Sequence, residues 1–217
     1  MSLQSPESDF INHLATALAG PLPGRAGQEQ FAPRLCYGRH FGPLSLSYRQ
    51  AAVVLLLYPN AGQWQMPLTV RPSHLKDHGG QISLPGGAMD KGETVEQAAL
   101  RELNEEIGIA ANNVRILGQL TPLYLFISDF YVTPVVACLD EKPTMTPNPD
   151  EVEVLFDVPV RELVERRNWG AHTKLFRDCE IGGGCLVPHI QWRAHQIWGA
   201  TAMMLGEFIQ IVDETAG

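Results

Sequence analysis

Residues Thr94 to Ile107 constrain this chain more than any other stretch. Thr94, with Gln97 three residues later, has the spacing of a capping box, and Gly108 stands where a helix is expected to stop. Leu100, Leu103 and Ile107 share one face, so the segment is expected to form an amphipathic helix that needs an apolar partner. Its other face runs Arg101-Glu102-Leu103-Asn104-Glu105-Glu106. At about 100° per residue, Glu105 and Glu106 lie roughly 60° to one side and 40° to the other of Glu102, so the three carboxylates cluster. They also fill the last two turns, where the helix dipole is already negative. Carboxylates about 6 Å apart at an effective dielectric near 20 repel by roughly 3 kcal/mol per pair. A helix built for stability alone would place lysines here, yet Arg101 is the one nearby cation in the helix.

Two readings compete for this cluster. One is a solvated acidic face with splayed, screened side chains. The other is a divalent-cation site, because a hard cation with oxygen ligands removes the repulsion. The context favours the second. Ala98 and Ala99 leave little bulk beside the carboxylates, and a glycine-punctuated stretch, His78 to Gly92, leads into the helix.

The apolar partner is expected from strands on both sides of the helix. Ala51 to Tyr58 and Trp64 to Arg71 precede it, and Val114 to Leu117, Tyr131 to Leu139 and Val152 to Phe156 follow. Pro134 argues for an edge position or a bulge in the fourth of these. Arg161 to Arg167 reads as a short helix, Lys174 to Trp192 as a hairpin folded at Gly182-Gly183-Gly184, and Trp198 to Val212 as a closing helix. Ser5 to Ala19 reads as an N-terminal amphipathic helix with Phe10, Leu14, Ala17 and Leu18 on its apolar face, followed by a loop from Gly20 to Gly27. The pattern predicts an α/β or α+β layered fold.

Composition narrows the function classes. A net charge of −8 gives no global electrostatic reason to bind nucleic acid or an anionic membrane. The longest purely apolar run, eight residues, is too short to span a bilayer. No Lys or Arg precedes Arg25, and four cysteines in 217 residues do not suggest a disulfide scaffold. A cytoplasmic, reducing setting is therefore expected.

Reading back from Glu102 gives Gly87, five residues, Glu93, seven residues, Arg101-Glu102-Leu103, one residue, Glu105-Glu106, one residue, Gly108-Ile109. This string resembles the signature of the Nudix hydrolases at every specified position. Seven fixed positions at roughly 7% each match by chance on the order of once in a million over about 200 starts. The resemblance implies a mixed-sheet α/β/α sandwich over residues 47–217, with 1–46 as a helix-and-linker extension. It implies hydrolysis of a small-molecule nucleoside diphosphate derivative, with Mg²⁺ or Mn²⁺ held by Glu102, Glu105, Glu106 and the Gly86 carbonyl. Arg101, partnered by Glu93, would orient the glutamates, and Gly87 and Gly108 would shape the loop and the helix end. Glu102 or Glu105 would be the general base. Asp150 and Glu151 read instead as a surface turn.

The stretch Leu68 to Gly87, with Leu117-Gly118-Gln119-Leu120, Val132 to Val136 and Ile197 to Ala202, is similar to the coenzyme A pyrophosphatases of that superfamily. The implied reaction splits coenzyme A or acyl-CoA into 3′,5′-ADP and 4′-phosphopantetheine. ADP-ribose or NADH is the alternative substrate. A non-catalytic nucleotide-sensing module is disfavoured, because no signature glutamate is lost. Arg71, Lys76 and His78 are candidate phosphate contacts in an otherwise acidic chain. Cys179, Cys185, His189 and His195 superficially resemble a zinc site, but the first spacing is too long. Tyr124, Phe126, Phe130 and Tyr131 are candidates for stacking on an adenine, although strand aromatics more often pack in a core. The apolar faces of the terminal helices leave two possibilities open, internal packing or a homodimer.

Overall fold

The structure, a computed structural model, describes residues 6–34, 40, 42–74, 79–174 and 185–216. Lys76, His78, Cys179 and the expected turn at Gly182–Gly184 lie outside the described residues.

The organising element is strand β1, Arg49–Asn60, which is buried along most of its length on both faces. Ala52, Val54, Leu56 and Tyr58 face one core, with Ala98, Ala99, Leu103 and Ile107 of the predicted helix. Ala51, Leu55 and Leu57 face the other, with Met203, Leu205, Phe208 and Ile209 near the C-terminus. A continuous apolar run, rather than an alternating one, is what a strand between two helical layers requires. The result is an α/β/α sandwich around a mixed sheet.

The other sheet strands are β2 (Gln63–Val70), β3 (Ile82–Ser83), β4 (Gly86–Ala88), β5 (Arg115–Gln119), β6 (Leu123–Leu125), β7 (Phe130–Cys138) and β8 (Val154–Pro159). β1 runs parallel to β7, from Arg49 opposite Phe130 to Leu57 opposite Cys138. β4 and the start of β2 pair antiparallel with β1. The glycine-punctuated stretch therefore contains two short strands, too brief for any periodicity to reveal.

Pro134 lies in an interior strand, between β1 and β5, and not at an edge. Its carbonyl accepts from the Leu120 N–H at 2.9 Å, so its ring nitrogen faces the gap between β5 and β6. The proline has no N–H to return to Leu120 at this junction. The irregularity falls instead on β5, between Ile116 and Gly118.

Helix α1 (Pro6–Leu18) buries Ile11, Leu14 and Leu18 in the second core. The expected loop after it already contains the start of α2 (Arg25–Glu29), which packs on the C-terminal helix α5 (Gly199–Ala216). Between them lie α3 (Val95–Ile107), α4 (Val160–Val164) and a three-stranded antiparallel sheet of β9 (Trp169–Lys174), β10 (Cys185–Trp192) and β11 (His195–Trp198).

One buried carboxylate fastens the N-terminal segment to this frame. Glu207 of α5 has no solvent exposure. It accepts from the Gly24 N–H at 3.0 Å, Gln28 Nε2 at 3.0 Å, Thr121 Oγ1 at 2.7 Å and the Thr121 N–H at 3.2 Å. Each of its oxygens is satisfied by donors from two other segments, which makes its burial tolerable.

The secondary residue sets read from the sequence resolve separately. His195 stacks on Phe156 at 4.0 Å, whereas His189 meets His172, with Nδ1 to Nδ1 at 3.2 Å. The two histidines thus have different neighbours. Tyr124 donates to Asp129, Phe130 lies under the Arg49 guanidinium, Phe126 packs near His40 and Tyr131 meets Tyr48. No helix among the described residues is long and apolar enough to cross a membrane.

Candidate active site

The capping box forms as its spacing predicts. Thr94 Oγ1 accepts from the Gln97 N–H at 3.2 Å, and the Thr94 N–H donates to Gln97 Oε1 at 2.9 Å. At the other end Gly108 adopts a left-handed φ of 75° and returns its N–H to Asn104. With both ends fixed, the glutamates of α3 are presented from a rigid element.

Gly86 and Gly87 bring β4 directly under them. A Cβ on Gly86 would fall 2.5 Å from Val53 Cα, and one on Gly87 would fall 2.5 Å from Glu102 Oε1. Only glycine permits this close approach of strand, loop and carboxylate. Glu93 precedes the helix and folds back through its side chain, which accepts from the Asp90 N–H at 2.8 Å.

Arg101 ties these parts together. Its Nε donates to Glu93 Oε1 at 2.8 Å and its Nη2 to Glu93 Oε2 at 3.0 Å and to the Ala88 carbonyl at 2.9 Å. Its Nη1 donates to Glu102 at 2.7 Å and Glu105 at 3.0 Å. The fork geometry of a guanidinium allows this, and a lysine could not replace it. The Arg101 hydrogen bonds hold the Glu93 carboxyl down at about 2.

Glu102, Glu106 and Glu151 each bring a carboxylate oxygen within 4.8 Å of the others. Glu106 is 2% exposed, and its Oε2 has no hydrogen-bond partner. Burial pushes its carboxyl up to about 8, opposed by a main-chain hydrogen bond from Gly86, reinforced by the Glu102 charge and moderated by Arg71. Burial also raises Glu102, against the pull of Arg101. An orphaned buried carboxylate oxygen beside two further carboxylates is a donor set suited to a hard divalent cation. The residues present fit such an ion.

The structure thus brings Glu102, Glu106, Gly86 and Arg71 together. Glu105, about half exposed, turns to Arg101 and lies outside that cluster. The third member is Glu151, which the sequence reading assigned to a surface turn. It sits 45 residues beyond Glu106, where helical spacing carries no information; the turn is real, but its side chain points inward. Arg71 is held by main-chain bonds to Gln81 and Gly80, and the residues after it are tied down where the Ser73 N–H donates to Glu153 at 2.8 Å.

The Glu106 shift sets a pH dependence. Its carboxyl is raised in the folded state from the ordinary 4.5 to about 8, so below that point a cation must displace a proton. Divalent-cation affinity is expected to rise with pH, by up to about tenfold per unit, and to level off above about 8. For the metal-free protein the sign is opposite. The folded state binds the extra proton, so stability falls as pH rises from 4.5 to about 8. Calorimetric Mn²⁺ titrations at pH 6.5 and 8.5, in buffers of different protonation enthalpy, would register the proton release. Equal affinities with none released would contradict it.

The chain is similar to known proteins over most of its length. A NUDIX domain model matches residues 47–179. Nudix hydrolase 3 of Caenorhabditis elegans is 36% identical over 151 residues, covering 66% of this chain and 63% of that protein. The uncharacterized Nudix hydrolase NudL of Pectobacterium atrosepticum is 36% identical over 171 residues, covering 76% of this chain and 84% of its own. Among solved structures, a MutT protein from Methanosarcina mazei is similar over 80% of this chain and 96% of its own, at 16% identity and a TM-score of 0.48. The class is that of hydrolases acting on pyrophosphate bonds, which generally use divalent metals. Within it, the chain belongs to the Nudix hydrolases.

Proposed function

We propose that this protein is a Mg²⁺- or Mn²⁺-dependent pyrophosphohydrolase that cleaves coenzyme A or acyl-CoA into 3′,5′-ADP and a 4′-phosphopantetheine moiety. The observation that carries the hydrolytic reading is the inward carboxylate cluster of Glu102, Glu106 and Glu151 beside Gly86 and Gly87. The substrate reading rests on the resemblance of Leu68 to Gly87 and of Ile197 to Ala202 to coenzyme A pyrophosphatases.

A diphosphate bridge repels hydroxide, so the chemistry needs charge neutralisation and an activated water, and the divalent ion supplies both when bound. Glu102, Glu106 and Glu151 would hold it. Arg101 keeps Glu102 and Glu105 oriented through its fork. Arg71, with Lys76 and His78, would contact the substrate's phosphates. Glu105, which lies outside the cluster, would accept the proton of the attacking water, and Glu102 is the alternative base. The water oxygen bonds to one phosphorus, the bridging P–O bond breaks, and two phosphate-terminated products leave.

The deciding experiment is a hydrolysis screen with Mg²⁺ and Mn²⁺ over coenzyme A, acyl-CoA, ADP-ribose, NADH and diadenosine compounds, with Glu105→Gln as control. Coenzyme A or an acyl-CoA is expected to be preferred, with the variant down about 10²–10⁴-fold. Strong preference for ADP-ribose or NADH would overturn the substrate assignment, and an unimpaired variant would overturn Glu105 as base.

A further inference from the structure

Asn148 lies in the connection between β7 and β8, which carries Glu151 and is fastened to the end of α3. Its main-chain N–H donates to the carbonyl of Glu106 at 2.8 Å. Its own carbonyl accepts from the N–H groups of Glu151 at 3.1 Å and Val152 at 2.8 Å. Two residues earlier, the Thr146 N–H donates to the Ile107 carbonyl at 2.9 Å. The segment is therefore fastened along two successive carbonyls that a helix end would otherwise leave orphaned.

The side chain adds a second fastening. Asn148 Nδ2 donates to Glu151 Oε1 at 3.3 Å, and Asn148 Oδ1 accepts from the Asp150 N–H at 3.1 Å. One residue thus spans from the main chain of one cluster carboxylate to the side chain of another. Glu151 needs such a restraint. It is partly exposed, and two neighbouring carboxylates push it towards solvent. Among the described residues, Asn148 is the side chain found donating to its carboxylate.

We propose that Asn148 is a positioning residue, holding Glu151 within reach of Glu102 and Glu106 so that a divalent cation meets three preset carboxylates. The proposal rests on the metal-dependent reading above. Its effect runs entirely through Glu151, and that sets it apart from a residue that merely stabilises a turn.

The test is Mn²⁺ titration of the metal-free full chain, followed by kcat and KM for coenzyme A, with Asn148→Ala, Asn148→Asp, Glu151→Gln and the double variant. Asn148→Ala removes only the two side-chain bonds. It is expected to weaken Mn²⁺ binding by about tenfold, the low end for an outer-shell partner because the bond is long, with KM changed less than about twofold. In the Glu151→Gln background the same change should cost nothing further. Asn148→Asp keeps the acceptor for Asp150, loses the donor to Glu151 and sets a like charge beside it, so it should turn over no faster than Asn148→Ala. Full loss in the Glu151→Gln background, or wild-type turnover in Asn148→Asp, would overturn the assignment. A wild-type chain that binds no Mn²⁺ would overturn the metal-dependent reading and this proposal together, an outcome distinct from a binding wild type with additive variants.

Discussion

Glu106→Gln is expected to reduce kcat by on the order of a thousandfold while leaving the protein at least as stable as the wild type. The two effects have one cause. Glu106 is almost fully buried, one of its oxygens has no partner, and its carboxyl is pushed up to about 8. Without a cation the ionised form is therefore a burden to the fold. Glutamine keeps the shape and removes the charge, so melting at pH 8 should hold or rise. The charge is also what a divalent ion needs. Loss of an outer-shell partner costs about 10–100-fold, and loss of a direct ligand should cost more. Melting and steady-state kinetics on the same preparation separate the cases. A variant that is both unstable and inactive would mean that Glu106 is structural, and one that is stable and active would remove it from the site.

The second large effect is on stability. Glu207→Ala is expected to destabilise the fold by about 3–5 kcal/mol, or roughly 10 °C in melting temperature for a chain of this size. The mutation leaves donors from Gly24, Gln28 and Thr121 without an acceptor in a dry interior, and opens a void besides. Glu207→Gln should fall between, because it keeps one acceptor oxygen and turns an N–H₂ towards groups that already donate. Mn²⁺ affinity should change less than about twofold, since the residue makes no contact with the carboxylate cluster. Denaturant unfolding decides the matter, and a wild-type midpoint for Glu207→Ala would show that the hub contributes nothing.

Those two residues also mark what could and could not be read from the chain. α3, its caps, its apolar face and the clustering of Glu102 with Glu106 follow from local spacing, because helical geometry is fixed once the ends are known. The Arg101–Glu93 pairing could not be seen from spacing, since eight residues span more than two turns; it entered through the family signature. Glu151 escaped because Asn148-Pro149-Asp150-Glu151 has the composition of an exposed turn, and only the tertiary fastening at Glu106 and Ile107 aims it inward. Glu207 escaped because a lone acid in an apolar helix has no local partner; its donors are 86 and 179 to 183 residues away in sequence. Pro134 read as an edge signal because the rule assumes that a strand is bordered along its whole length, and here β5 gives way to β6 beside it.

The close seating of Gly86 and Gly87 against Val53 and Glu102 bears on how such an enzyme can diverge. Two of the positions nearest the reacting groups offer no side chain to vary, and any they acquired would meet main chain or carboxylate. New specificity has to be acquired at the borders, around Arg71 and along the 144–153 connection, while the short strand beneath the carboxylates stays silent. Lineages descended from this scaffold should therefore differ in what they cut far more than in how they cut it.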